Sequence, residues 1–148
     1  MHKRIHPITN EAAYEVASNL TKADHQEVFE GHGIDSTWTV VLGAITQKHT
    51  DAIYTSDGKI AAMIGVEDGR VWMLSTPACT DHPRTFVKDV RRWLFSQPDG
   101  LYWNIVDKRN TVHIRLLRML GFKFLRELNY GPNNLPFLEF CKIQCGVY

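Results

Sequence analysis

The sequence has few of the features that mark cross-linked, membrane or non-globular proteins. Its three cysteines form no CxxC motif, and no HExxH motif is present, so we expect neither a disulfide framework nor a metal site. No apolar run approaches the roughly 20 residues of a membrane-spanning helix. No repeat, low-complexity tract or Pro/Ser-rich linker interrupts it, which excludes collagen-like, coiled-coil and disordered classes. Residues 1–7 are basic without a following apolar segment, so we expect no signal peptide.

The composition is that of an ordinary globular domain. Hydrophobic residues make up 44% and charged residues 22% of the 148 residues, close to the averages for such domains. A chain of this length can bury a sizeable core without disulfides or metals. We therefore predict a single domain over residues 1–148, in a reducing intracellular compartment and without membrane contact.

The net charge of +1 hides an uneven distribution along the chain. Residues 1–70 carry six Lys/Arg and ten Asp/Glu, whereas residues 71–148 carry eleven and six. Such a split is typical of a chain whose basic half meets an anionic partner, although solvated helix faces would give the same count. If the basic half binds such a partner in a cleft, the basic residues expected nearest the mouth of that cleft are Arg84, Lys108 and Arg109. The aromatic residues do not alternate with basic ones, so we do not expect specific binding of single-stranded nucleic acid.

Hydrophobic periodicity and turn residues predict an alternation of strands and helices. The predicted strands are 4–8, 52–55, 59–66, 71–76, 101–106, 122–130 and 135–144, and the predicted helices are 10–19, 84–95 and 111–120. Residues 21–30 are predicted as helix or turn, and residues 38–47 as a helix or an irregular packed segment. The order predicts an α/β (α+β) domain with a mixed, mostly antiparallel sheet and helices on both faces. The strands joined through helix 84–95 should be parallel neighbours.

This order resembles the GNAT (Gcn5-related N-acetyltransferase) superfamily, in which an Asn opens the last helix and Gly-Phe follows eleven residues later. Asn110, Gly121 and Phe122 hold that spacing. We expect Gly121 to end the helix with a positive φ. The resemblance implies a GNAT-like fold and, for an active member, acetyl-CoA as cofactor.

A narrower similarity covers about residues 65–142. This segment resembles the GNAT-like internal virion proteins of podoviruses of the T-seven type. The residues that carry the resemblance are Trp103, Asn104, Val106, Asn110, Thr111, His113, Ile114, Arg115, Leu117 and Gly121. This resemblance implies a phage protein of head or internal-core assembly, with phage or host proteins as partners. It would lie in the host cytoplasm or the virion head.

The coenzyme site that the resemblance implies is incomplete in this sequence. GNAT enzymes hold the pyrophosphate on a glycine-rich loop before a helix N-terminus. Here that loop, residues 77–84, has no glycine and two prolines, which donate no N–H. Some residues could still contact coenzyme A, at the end of the predicted strand 71–76 and at the starts of the two following helices. They are Leu74, Thr76, Arg84, Thr85, Phe86 and Asn110.

The catalytic residues that the resemblance implies are also altered. The position of the usual thiolate-protonating Tyr, seven after Asn110, is Leu117. His113 could replace it as general acid. It also falls within the apolar arc of Val112, Leu116, Leu117 and Leu120, which favours a buried neutral histidine with a structural role. Glu67 is placed as a general base, although a Glu-Asp-Gly turn is typical of a solvated carboxylate.

Three functional hypotheses follow from the sequence. In the first, the chain is a phage GNAT-fold protein that acts mainly through protein contacts, with a degenerate coenzyme loop. In the second, it is an active acetyl-CoA-dependent N-acetyltransferase that modifies a host or phage amine, with Glu67 and His113 as its catalytic groups. The third is a basic module associated with packaged nucleic acid. The acceptor substrate and the oligomeric state stay open.

Overall fold

A computed structural model describes residues 4–146 of the chain. The expected absence of a signal peptide concerns residues 1–7, and the first three of these lie outside the described range. Within residues 4–146, no helix combines the length and apolar character needed to cross a bilayer.

The elements follow the order that the sequence predicts. Residues 4–146 form seven strands, which are β1 (Ile5–Pro7), β2 (Thr50–Tyr54), β3 (Ile60–Glu67), β4 (Arg70–Ser75), β5 (Gly100–Asp107), β6 (Lys123–Tyr130) and β7 (Leu135–Gln144). The same residues form five α-helices, which are α1 (Asn10–Ser18), α2 (Lys22–Gln26), α3 (Thr37–Ile45), α4 (Pro83–Phe95) and α5 (Thr111–Met119). A π-helical turn, Glu27–Gly31, continues α2, and a 3₁₀ turn, Pro77–Thr80, precedes α4.

All seven strands form one sheet in the order β1-β2-β3-β4-β5-β7-β6, with helices on both faces. Alternate side chains of β3 separate two apolar layers. Ala62 and Ile64 pack with α4 and α5, while Met63 packs with α1 and α3. Because both faces are covered, β3 is apolar almost throughout. The predicted mixed, mostly antiparallel sheet is confirmed.

The parallel pairing of β4 and β5 is confirmed, but it is very short. The two strands share a single register position, Arg70 opposite Trp103, and the Trp103 N–H donates to the Gly69 carbonyl over 2.9 Å. Beyond it, the Asn104 side-chain amide donates to the Val71 carbonyl over 2.9 Å. No further β4–β5 register position follows within the described part of the chain. The strands therefore separate toward their carboxyl ends.

The cap of α4 differs from the one that the sequence indicates. The sequence offers Thr9 or Asn10 as the cap of the first helix, and Thr9 caps α1, since its hydroxyl accepts from the Ala12 N–H over 3.1 Å. For the helix whose first turn contains Pro83, the sequence offers Thr80 or Asp81 as the cap, and this is wrong. The residue before α4 is His82, which makes no side-chain capping bond. Thr80 instead donates its hydroxyl to the Pro77 carbonyl over 2.8 Å, because the 3₁₀ turn brings the two together.

Both ends of α5 lie where the sequence places them. The Asn110 side chain accepts from the His113 N–H over 3.4 Å at the start of the helix. Gly121 has φ +93°, and the next residue, Phe122, donates its N–H to the Leu117 carbonyl over 3.0 Å. This is the left-handed glycine termination that the Gly-Phe pair predicts.

The turn between β6 and β7 depends on a glycine for a steric reason. Gly131 has φ +77°, and a Cβ there would meet the carbonyl oxygen of Gly31. Gly58 also has a positive φ, +85°, but its Cβ would meet open space.

We expect Gly58→Ala to lower the free energy of unfolding by about 1–2 kcal/mol, the strain of a left-handed alanine. Gly131→Ala should cost more than about 3 kcal/mol, because overpacking adds to that strain. Urea unfolding of both variants measures the difference, and equal losses would contradict the contact.

Candidate functional site

A buried polar cluster lies where the ends of β4 and β5 separate. We call it the acid cluster, and its members are Asp24, Glu27, Ser75, Asn110 and His113. Four of them are at most 9% exposed, and the His113 side chain is 14% exposed. They come from α2, the π-helical turn, β4 and the start of α5. Polar groups at this depth must satisfy one another, since water does not solvate them.

Asp24 binds the end of β4. Its Oδ2 accepts from both the N–H and the hydroxyl of Ser75, each over 2.8 Å. Its Oδ1 accepts from the Asn110 side-chain amide, also over 2.8 Å. Thr21, the cap of α2, donates its N–H to the Ser75 carbonyl over 2.9 Å. The start of α2 therefore takes up the hydrogen bonds that a neighbouring strand would otherwise make with Ser75.

Glu27 does the same for the end of β5. Its Oε1 accepts from the Asp107 N–H over 2.9 Å and from the Asn110 amide over 3.3 Å. Burial raises the pKa of Glu27, in spite of the opposing attraction of His113. Asp24 thus accepts a hydrogen bond from the end of β4 and Glu27 accepts one from the end of β5, and the Asn110 side-chain amide donates to both carboxylates.

His113 supplies positive charge to the two carboxylates. Its Nδ1 lies 3.9 Å from Asp24 Oδ1, so the attraction is electrostatic and longer than a hydrogen bond. Burial opposes the charge of His113, but Asp24 and Glu27 outweigh it and raise its pKa. Burial likewise opposes ionisation of Asp24, and the attraction of His113 with the Asn110 and Ser75 hydrogen bonds lowers its pKa. His113 is thus mostly buried, and the raised pKa favours its charged form over the neutral form that burial alone would give.

A second ionic layer covers the acid cluster on the solvent side. Arg109 donates to Asp107 over 2.8 Å and to Glu30 over 2.9 Å. Burial opposes ionisation of Asp107, but the Arg109 hydrogen bonds outweigh it and lower its pKa. Lys108 pairs with Glu127 over 2.7 Å. Two of the three basic residues expected at the cleft are therefore engaged by acidic side chains.

Solved acetyltransferases share this architecture at low sequence identity. A GNAT-family acetyltransferase from Bacillus anthracis has a TM-score of 0.70 at 9% identity, over 97% of this chain and 96% of that one. The chain has the GNAT fold. The spermidine N-acetyltransferase of Vibrio cholerae, in complex with CoA and spermine, gives 0.65 at 8%, over 95% and 94%. The Escherichia coli ribosomal-protein-S18-alanine N-acetyltransferase gives 0.64 at 17%, over 97% of both chains.

The sequence itself matches neither a family model nor a curated protein. The similarity to acetyltransferases is therefore one of fold. What the site can bind follows from the contacts of its own residues.

The N–H groups expected to face a coenzyme thioester at the end of β4 are already bonded within the chain. In a GNAT-like arrangement, an N–H near Leu74 and Thr76 would face the acetyl oxygen. The Thr76 N–H donates to the Ala61 carbonyl over 2.9 Å, within the β3 pairing. The N–H of Ser75 faces the gap but is held by Asp24. Leu74 packs with the α1 and α3 layer. No free strand-edge donor is left among these residues.

The start of α4 fits a pyrophosphate no better. The loop forms the 3₁₀ turn Pro77–Thr80 instead of a glycine cradle. Phe86 was expected to offer its N–H, but it donates to the His82 carbonyl over 3.0 Å in the first helical turn. Arg84 is exposed and Thr85 is half-buried at this helix start. The two residues offer one charge and a helix terminus, without glycine backbone around them.

The two expected catalytic residues lie at opposite ends of the strand gap. Glu67 is exposed at the end of β3, beside the paired start of β4, whereas His113 lies at the open end. Leu117 is buried in the apolar layer and offers no proton. Val112, expected in the same apolar arc, is 66% exposed because it points outward from the first turn of α5. The structure does not bring Glu67 and His113 to one reaction centre.

Sequence analysis missed the two carboxylates of the acid cluster. The spacing of Thr21 and Asp24 does indicate a helix start, since the Thr21 hydroxyl accepts from the Asp24 N–H over 3.2 Å. Nothing in the spacing of Asp24 and Glu27 distinguishes a buried pair from a solvated one, because their partners are 51 and 80 residues away.

The charge on His113 makes stability depend on pH. A raised pKa means that His113 stabilises the fold below about pH 6.5, the pKa of an unfolded histidine, and that this is lost as pH rises through the folded pKa. His113→Gln should remove this dependence. It should also cost about 3 kcal/mol near pH 6, since it leaves buried carboxylates without their cation.

Urea unfolding between about pH 6 and pH 9 measures this effect. His82→Gln is the matched control, because His82 is exposed and lies 3.8 Å from Asp57. It should keep the pH dependence of the wild type. If His113→Gln shows the same slope as the wild type, the charged state assigned to His113 is wrong.

Proposed function

We propose that the chain is a GNAT-fold protein that acts through protein contacts, with the acid cluster in place of a working coenzyme site. The observation that carries this proposal is the bond between the Ser75 N–H and Asp24, which occupies the strand edge that an acetyl group would need. A thioester could reach that N–H only by displacing Asp24. The displacement would leave a buried carboxylate without its donors, at a cost of several kcal/mol.

The hydrogen-bonding groups at the strand ends support the same conclusion. The thioester end of coenzyme A is uncharged, and its acetyl oxygen needs a donor, whereas Asp24 and Glu27 present acceptors there. The glycine-free segment 77–84 does not compensate, since its two prolines donate no N–H.

The protein-contact role is supported by exposed apolar side chains. Trp38 and Leu42 of α3 are 57% and 43% exposed, and Tyr14 of the neighbouring α1 is 56% exposed. Large apolar side chains grouped on a surface are typical of interaction sites. The resemblance carried by Trp103, Asn104 and the start of α5 favours a phage protein of internal-virion or head assembly. Its partners would then be phage or host proteins, in the host cytoplasm or the virion.

Calorimetric titration with acetyl-CoA tests the coenzyme part of the proposal. We expect no binding at about millimolar acetyl-CoA. The Vibrio cholerae spermidine N-acetyltransferase, whose structure contains CoA, is the positive control under the same conditions. Binding tighter than roughly 100 µM, within the usual range of enzyme substrates, would support the alternative of an active N-acetyltransferase.

Mass spectrometry of purified particles tests the virion part. If the chain is a structural protein of a phage head, it should remain with gradient-purified particles of the encoding phage after nuclease and salt washes. Recovery only in the unassembled lysate fraction would contradict a role inside the mature particle. It would leave the coenzyme result unaffected, so the two parts can fail separately.

A further inference from the structure

An apolar cavity fills the gap between β4 and β5. Its volume is about 270 Å³, and it opens to solvent beside α3. The walls are mostly aliphatic and aromatic, and they include Val71, Met73, Val106, Leu116 and Leu117. Cavities lined in this way with a few polar groups at the edge are typical of small-molecule sites.

The polar groups at the two ends of the cavity differ in charge. The acid cluster closes one end through Glu27 and His113. Arg70 stands at the other end, at the first residue of β4, with its guanidinium 5.3 Å from the ring centre of Trp103. Six residues of extended β4 separate the ends by roughly 16 Å. A ligand that spans the cavity would therefore meet a guanidinium at the Arg70 end, and at the other end a histidine that already lies beside Asp24 and Glu27.

Arg70 is a cation without an acidic partner. Among residues 4–146, no carboxylate forms an ion pair with it, although Glu67 lies opposite it in the β3–β4 hairpin. His32, which also lines the cavity, has its pKa lowered by burial and by the charge of Arg70. A guanidinium on an aromatic ring presents a planar edge that suits a carboxylate.

Gly43 gives access to the cavity from α3. It lies within the helix, where glycine is less stable than alanine by about 1 kcal/mol. A Cβ on Gly43 would meet nothing within 4 Å, so no protein contact explains the glycine. Since Gly43 also lines the cavity, its missing side chain leaves space at the entrance.

We propose that this cavity binds a small aliphatic carboxylate. The alkyl chain lies between β4 and β5 against Val71 and Met73, and the carboxylate binds the guanidinium of Arg70. At the far end, His113 already lies beside Asp24 and Glu27 and offers no free cation, which fixes the orientation. This binding needs neither coenzyme A nor the Ser75 N–H, so it does not depend on the proposed function.

Calorimetric titration of the full chain with octanoate, octanol and octylamine tests the proposal. Octanoate should bind with a Kd below about 1 mM, and at least about ten-fold more tightly than the other two. Hexanoate should bind about 16-fold more weakly than octanoate, since each buried methylene changes affinity about four-fold. Octylamine binding as tightly as octanoate, or no octanoate binding at about 10 mM, would overturn the proposal.

Two variants locate the site. Arg70→Gln, at an exposed position, should weaken octanoate about ten-fold or more and leave octanol unchanged. Gly43→Phe should fill the entrance and abolish binding of both, whereas Gly43→Ala should bind octanoate like the wild type and be more stable. Equal octanoate affinity in the wild type and Arg70→Gln contradicts the proposed head-group contact, whether or not Gly43→Phe folds.

Discussion

The separation of β4 from β5 is the constraint on which the rest of the site depends. Two parallel strands that share one register position leave main-chain donors at their carboxyl ends without ladder partners. In this chain, Asp24 and Glu27 satisfy one such N–H on each strand, and Asn110 holds the two carboxylates together. The gap is thus closed at one end by side chains and is left as an apolar cavity along the rest of its length.

This way of closing the sheet makes distant elements depend on one another. Asn110 caps α5 and donates to both carboxylates, while α2 is bonded to the end of β4 through Thr21 and Asp24. A buried ion pair contributes little net stability compared with apolar packing, but removal of one partner is costly. The acid cluster therefore fixes the position of α2 and α5 at the strand ends more than it stabilises the fold.

The sequence predicts the fold well because its signals are local. Thr9 before α1, Gly121 after α5 and the turns of the hairpins each depend on residues a few positions apart. The site depends on contacts that no local pattern records. The neutral form expected of His113 follows from burial alone, and Asp24, 3.9 Å away after a separation of 89 positions, opposes it by raising the pKa. The cap expected for α4 is wrong because a 3₁₀ turn takes up the Thr80 hydroxyl.

The uneven charge of the chain also has an internal explanation. The acidic first half contributes Asp24, Glu27 and Glu30, and the basic second half contributes His113 and Arg109, which face them across the strand gap. The uneven charge, which suggests an anionic partner, is thus explained in part by attraction between acidic side chains of the first half and basic side chains of the second half. The helix faces of α4 carry further basic residues, but two of the three basic residues expected at the cleft, Lys108 and Arg109, already pair with acidic side chains of the chain itself. The distribution of charge along the sequence therefore does not by itself indicate a ligand.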